Sequence, residues 1–304
     1  MANILLRSPY YEYNTQAGSS TATMELYTGG TLRYTLSKDV DADEGALFDI
    51  SELARDYLDI TFDGTYTSQV VAITGNIKFY DSSNVQVGST VNFSHKGFDG
   101  YGRFLDGANP TITSGSLLQS NTKIYWLEGQ AGRIPEESGG AINYYSFGSI
   151  DTSASVGGQT VSIERICEPR YTPILVNFVN KFGAIQGIYF FKKSIESVST
   201  SSETYKRSLV DSTGSYSINE HSVRTLRTVG TESITMNTGY MDQGMNRTME
   251  ELLMSHQVWA TINSVVTPII ITSNQLTYKT SVNDRLVDYT ITADMAFNLA
   301  NDLR

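Results

Sequence analysis

A 304-residue chain with three histidines and one cysteine has few side chains with which to do chemistry. His95, His221 and His256 are far apart, and none has another histidine at metal-ligand spacing. His256 falls on the apolar side of a helical pattern, where a hydrogen-bonded core histidine is expected. Cys167, in "ERICEPRY", would act as a thiolate nucleophile only beside a base. No cysteine-hydrolase signature surrounds it, so a small buried hydrophobe at a strand end is expected. Asp39, Asp41 and Asp43 in "DVDADEG" resemble the start of a calcium loop. The sixth and twelfth positions of such a loop need Gly and Glu, and here they hold Glu44 and Ile50. A solvated acidic turn is the expectation.

"GYGRFLDG", from Gly100, has its third glycine two places late for a dinucleotide fingerprint and lacks a surrounding strand–helix unit. No Walker-type loop and no Gly-x-Ser-x-Gly elbow occurs. With 32 acidic residues some carboxylates fall near one another by chance, so their presence does not indicate glycoside hydrolysis. The chain is expected to have no catalytic, cofactor-binding or metal-ligating residues, to carry no cofactor, and not to be an enzyme.

The elements point to β-structure. The chain is 40% hydrophobic and 18% charged, with 19 tyrosines and only 6 prolines, so uncharged polar residues fill its surface. β-Branched and aromatic side chains suit a pleated sheet. The net charge of −10 disfavours binding to phosphate backbones, so no nucleic-acid partner is expected. A single cysteine excludes an intrachain disulfide. "MANILLRSPYYEYN" has too short an apolar run for a signal peptide, and no stretch reaches the roughly 18 apolar residues of a membrane span. A soluble chain made in a cytosol is expected.

The spacing predicts a mainly β protein of two β-sandwich-like units with a few short helices. Residues 1–163 form an N-terminal β-rich domain. Its strands are "TATMELYTG", "TLRYTL", "QVVAITGNIKFYD" and "QVGSTVNFS", and its one helix spans about 49–58. Ile50, Leu53, Ala54, Tyr57 and Leu58 make that helix's apolar stripe, with Asp49 and Glu52 as a capping box. Further on, "KIYWLEG" and "AINYYSFGSI" read as strands around a loop, "GQAGRIPEESGG". "SASVGGQTVSIERI" reads as a hairpin turning at Gly157-Gly158.

Residues 164–304 form a C-terminal β-rich domain with one helix at about 247–259. On that helix Met249, Leu252, Leu253 and His256 share a face, and Thr248 and Glu251 have capping-box spacing. "YTPILVNFVN" and "AIQGIYFFKK" are strands joined at Lys181-Phe182-Gly183, apolar on both faces and therefore expected in the middle of a sheet. More exposed strands follow over 194–221, and Asn283-Asp284 marks a last hairpin turn.

The second unit resembles virion structural proteins of tailed bacteriophages. The likeness rests on a Cys-x-x-basic-Tyr-x-Pro strand (Cys167, Arg170, Tyr171, Pro173), then Phe178, Asn180, Lys181, Phe182 and Gly183. An aromatic strand and a late Tyr278-Lys279-Thr280 hairpin complete it. It covers about residues 164–304, while the N-terminal unit matches in general style. The resemblance implies a tail or baseplate structural subunit in the virion, assembled in the host bacterial cytoplasm. Its implied partners are other virion proteins and further copies of itself in a symmetric ring. The alternative is a carbohydrate- or receptor-binding adhesin module whose exposed aromatics stack on sugars. Sheet edges and the polar stretches 129–140 and 194–222 are the expected contacts, so deleting 131–139 is expected to leave the chain folded.

If the acidic turn is merely solvated, Asp39→Asn with Asp41→Asn should leave the melting temperature unchanged with or without millimolar calcium. A calcium-dependent rise in the parent, lost in the variant, would reveal a site.

Overall fold

Residues 1–40, 45–273, 275 and 286–299 are described by the computed structural model, and they are mainly β. In chain order the elements are β1 (Ala2–Leu5), β2 (Tyr11–Asn14), β3 (Thr21–Thr28), β4 (Thr31–Asp39) and β5 (Ala46–Asp49). Then come α1 (Ser51–Arg55), β6 (Val71–Tyr80), β7 (Gln86–Phe98) and β8 (Thr111–Ile112). They continue as β9 (Lys123–Leu127), β10 (Gly132–Ser138), β11 (Ala141–Phe147), β12 (Ser153–Val156) and β13 (Gln159–Ile166). Next are β14 (Ile174–Val179), β15 (Ile185–Phe190), β16 (Ile195–Lys206), β17 (Val223–Asn237) and β18 (Met241–Asp242). The remainder are α2 (Asn246–Leu253), β19 (Val258–Ile262), β20 (Val265–Ile271), β21 (Leu286–Val287) and β22 (Thr290–Met295).

The first sheet, ordered β4-β3-β6-β7-β1-β8, follows from alternation. In β3, Ala22, Met24 and Leu26 point inward, and in β6 Val71, Ile73, Ile77 and Phe79 do so. The β2–β5 ribbon and α1 cover that face with Ala46, Phe48, Ile50 and Ala54. α1 is shorter than predicted, and its capping box does not form. Ile50 occupies the N-cap, and Asp49 Oδ1 instead accepts from the Ser51 amide at 3.0 Å and the Tyr10 amide at 3.3 Å. The carboxylate thereby ties the helix start to the neighbouring chain, which the local pattern cannot reveal.

The second sheet is ordered β15-β14-β19-β20-β22-β17-β16. The predicted β14–β15 hairpin forms, with Gly183 at a φ of +79° in its turn. Its place differs from the expectation: β15 is the end strand, not a central one. The hairpin is apolar on both faces because another layer packs on it. Ile124, Trp126, Ile134, Phe147 and Ile163 share one core with Ile174, Val176, Phe178 and Ile188. The largest core thus crosses residue 163, and the strands of 123–163 are built into the second body. Among them, β12 and β13 turn at Gly157 and Gly158, both at positive φ, as the sequence predicts.

The stretch 129–140, read as a loop, contains β10, which pairs with β11 over its whole length. Ile134 and Glu137 in it are fully buried, so deleting 131–139 would remove core rather than a surface loop. α2 also starts earlier than predicted, after a 3-10 turn at Gln243–Met245 capped by Asp242, whose carboxylate accepts from the Gly244 amide at 2.8 Å. Thr248 and Glu251 are therefore buried mid-helix residues and not a capping box. The helix ends at Leu253, leaving His256 beyond it and exposed, not in the core as expected. Asp41, Asp43 and Glu44 of the acidic turn, the Tyr278-Lys279-Thr280 motif and the Asn283-Asp284 turn lie outside the described residues.

Phe178 is fully buried on β14, where β19 and β15 flank it. Phe178→Ala should cost about 3–5 kcal/mol through lost burial and the cavity left behind. Denaturant unfolding of the whole chain measures it, because the core spans both halves. A loss under about 1 kcal/mol would contradict this packing.

Candidate functional site

Of the phage-like motif, Phe178, Asn180, Lys181, Phe182 and Gly183 lie at the end of β14 and in the turn that follows it. Asn180 is fully buried, and its amide nitrogen donates to the Leu118 carbonyl at 2.6 Å and to Gln186 Oε1 at 3.0 Å. Its Oδ1 accepts from the amides of Phe182 at 3.0 Å and Ala184 at 3.2 Å. The Lys181 carbonyl accepts from the Tyr101 amide at 2.8 Å, and Lys181 Nζ pairs with Asp106 at 2.9 Å. A Cβ on Gly100 would sit 2.5 Å from the Lys181 carbonyl oxygen, so the glycine of "GYGRFLDG" permits close packing and has no phosphate-binding context. Cys167, Arg170, Tyr171 and Pro173 lie on the approach to β14, away from this turn in the chain.

Beside the turn is a cluster of charged groups. Glu251 is buried, accepting from Ser120 Oγ and from the Lys181 amide at 3.5 Å. Burial pushes its carboxyl above the usual range, against the opposing effect of the Ser120 hydrogen bond and of Lys181. Arg55 Nε binds Asp99 at 3.0 Å, and its Nη2 donates to His256 Nδ1 at 2.9 Å. An arginine can only donate, so that ring nitrogen accepts and His256 is neutral in this arrangement. Burial, then the positive charges of Arg7 and Arg55, hold the imidazole below its ordinary pKa. Arg7 Nη2 donates to the Met254 carbonyl at 2.7 Å, closing the junction. These contacts fasten the N-terminal sheet to the chain after α2.

The histidines are not brought together. His95 sits under β2, bound through Nε2 to Glu12 at 2.6 Å, and His221 is exposed. Among the described residues no three His, Cys, Asp or Glu side chains are grouped to hold a metal. Cys167 is exposed, which corrects the expectation of a buried hydrophobe. A hydrogen bond to Glu128 and that residue's charge push its thiol up, the reverse of what a thiolate nucleophile needs. No described helix is long and apolar enough to cross a membrane.

A groove of about 640 Å³ is lined by Tyr66, Trp126, Tyr144 and Arg133. Its aromatic polar atoms turn inward: Tyr66 Oη donates to Asn177 at 2.7 Å, and Tyr144 Oη accepts from the Ile185 amide at 3.0 Å. Trp126 Nε1 donates to the Ala131 carbonyl at 3.2 Å, and the ring is buried. Burial pushes Tyr144 up to about 12. The polar atoms of these three rings are thus all engaged within the protein.

The feature most open to a partner is the β16–β17 hairpin. β17 pairs with β22 only over Ser233–Asn237, and its outer part pairs with β16 alone. Every residue of β16 is exposed, and twelve residues of strand reach about 40 Å. Ile195, Val198, Tyr205, Val223 and Leu226 are exposed on it, with Ile218 at its tip. The absence of apolar alternation through "SVSTSSET" is the sequence signal for such an arm, and it carries no indication of the arm's reach.

Comparison with protein families, with characterised proteins and with solved structures finds no match to this chain.

The raised Glu251 gives a pH test with a defined sign. Its folded-state pKa lies above the unfolded value of about 4.5, so its contribution favours folding below that pH and is lost as pH rises through the folded pKa. Glu251→Gln, able to bond Ser120 in either sense, should remove this slope. The variant's melting temperature relative to the parent should therefore rise from pH 4 toward pH 7 (about the span of the titration). A constant difference across that range would mean that Glu251 is not held in a desolvated site.

Proposed function

We propose that this protein is a non-enzymatic structural subunit of a tailed bacteriophage virion, of the tail or baseplate, that works by protein–protein assembly. The observation that carries the reading is the β16–β17 arm. A two-stranded ribbon is marginal in water unless a third strand or a packed surface supports it. The arm runs beyond its own sheet, displays large apolar side chains, and has no described strand on its outer edge. From Ile195 to Ser202 that edge holds one charge, Glu196, and neither proline, lysine nor bulge; a bulge at Glu203/Thr204 and Lys206 come only at the outer end of the strand. These are the devices that protect a free edge in a solitary protein. An arm of this kind suits strand addition to a neighbouring subunit, where main-chain bonds give affinity and alternate side chains give register. The phage-like motif in the second body favours a virion as the assembly, and copies in a symmetric ring supply the neighbours.

The arm can be removed cleanly, because Ser201 and Val229 are directly opposed. Replacing 202–228 by an Asn-Gly turn should leave a folded body with an unchanged melting temperature, absent from assembled particles. Normal particles containing the shortened chain would show the arm to be dispensable. Absence of the full chain from purified virions would remove the reading altogether.

A further inference from the structure

The joint between the two bodies contains a titratable contact that plays no part in the assembly reading. His256 stands on the short segment 254–257 between α2 and β19, where it is exposed. Its Nδ1 accepts from Arg55 Nη2 at 2.9 Å, and Arg55 is the last residue of α1. Two residues back, the Met254 carbonyl accepts from Arg7 Nη2 at 2.7 Å. Two arginines from the N-terminal sheet and its helix therefore hold this segment. One of the two bonds needs a bare ring nitrogen.

The charges that face the ring come from three elements. Arg55 is on α1, Arg7 follows β1, and Asp99 follows β7. Asp99 is bound to Arg55 Nε at 3.0 Å, and the Arg7 guanidinium lies over the Tyr101 ring at 5.1 Å. On α2, Glu250 is bound to Arg103 at 2.6 Å and Glu251 accepts from Ser120. His256 also lines an apolar groove of about 410 Å³ beside Phe62, Trp259 and Ile270, and no Lys, Arg, Asp or Glu lines that groove. A proton gained by the ring thus meets two cations and a carboxylate already engaged with one of them.

We propose that protonation of His256 breaks the contact with Arg55 and frees the segment 254–257 from α1, an acid-released latch on the joint. While Nδ1 accepts, the hydrogen of the neutral ring is on Nε2, so the added proton goes to Nδ1 and points at Arg55. Two donors cannot bond, and the exposed ring turns to water instead. Burial and the charges of Arg7 and Arg55 hold the imidazole below its ordinary pKa, as this crowding requires. With the folded-state value under the unfolded one of about 6.5, the contact contributes fully above that pH and is lost as pH falls through the folded value. The carboxamide of Asn180 does not titrate, so the joint loosens at the latch and holds at the β14–β15 turn. The latch belongs to the single subunit and does not depend on the assembly reading.

The test compares the full chain with His256→Asn and His256→Lys by hydrogen exchange at about pH 7.5 and about pH 5, the span over which a histidine changes charge. Rates are referred to an unstructured peptide at the same pH. Asparagine keeps an acceptor near the place of Nδ1 and does not titrate, whereas lysine is charged throughout. Between the two pH values, protection over 254–257 should fall about threefold more in the parent than in His256→Asn, the size of one exposed ionic contact. His256→Lys should be loosened by a similar factor already at the higher pH. Glu251 is present in all three chains, so its opposite pH effect cancels. An equal pH response in the parent and His256→Asn overturns the proposal, as does parent-like protection in His256→Lys at the higher pH. So does an imidazole resonance that titrates at or above about 6.5 in the folded protein.

Discussion

The joint between the N-terminal sheet and the second body is built around the carboxamide of Asn180. A buried amide is costly unless both its donor hydrogens and its acceptor oxygen are used. Here two donations and two acceptances are all made inside the protein, to Leu118, Gln186, Phe182 and Ala184. The same side chain therefore shapes the β14–β15 turn and holds a segment more than sixty residues earlier against it. Because that turn is fixed, its Lys181 carbonyl and Gly183 backbone present an invariant surface to Asp99–Tyr101. The N-terminal sheet is anchored there, and the Arg55–Asp99–His256 contacts follow from the docking. A charged residue could not take this role at the same burial without a counter-ion, which the turn does not supply.

How much of this was legible in the chain depends on where each residue's partner lies. β3, β6 and the β12–β13 hairpin were readable because alternation and a Gly-Gly turn are local properties. β10 was not, because Arg133, Glu136 and Glu137 make it look like a solvated loop. The two glutamates find partners far along the chain: Glu137 accepts from Asn3 at 2.9 Å and from the Gly115 amide at 2.5 Å, besides the nearby Gly140 amide at 2.7 Å, while Glu136 accepts from the Gly157 amide at 3.1 Å. Burial would raise the Glu137 carboxyl, yet these hydrogen bonds outweigh it and hold it low. Likewise, the capping boxes failed because Asp49 stands one place before the N-cap, where its carboxylate accepts from the Ser51 and Tyr10 amides, and because Glu251 is turned to Ser120 across the fold. The end position of β15 was hidden because a hairpin roofed by a second layer and one flanked by further strands have the same apolar pattern.

For the candidate surfaces, composition indicated exposure without indicating purpose. The polar character of 194–221 marked strands facing water, but only the pairing shows that they leave the body of the sheet. Phe104 and Leu105 read as ordinary apolar residues, yet they are 98% and 93% exposed, and nothing in "RFLDG" tells that Arg103 is bound to Glu250 and Asp106 to Lys181. Periodicity locates what is buried. It is silent on apolar residues that are held out.

The parallel pairing of β1 with β7 bears on the order in which the molecule can be made. β1 lies between β7 and β8, with Ala2 opposite His95 and Asn3 opposite Ile112. During synthesis the first strand therefore has no place in the sheet until β7, which ends at Phe98, has emerged from the ribosome. Until β1 joins it, β7 has an unpaired edge, and the apolar side chains of β1 remain in water. Closure across so long a loop is slow, and the waiting intermediate is prone to aggregate. The yield of folded chain then depends on how promptly that closure follows the emergence of β7.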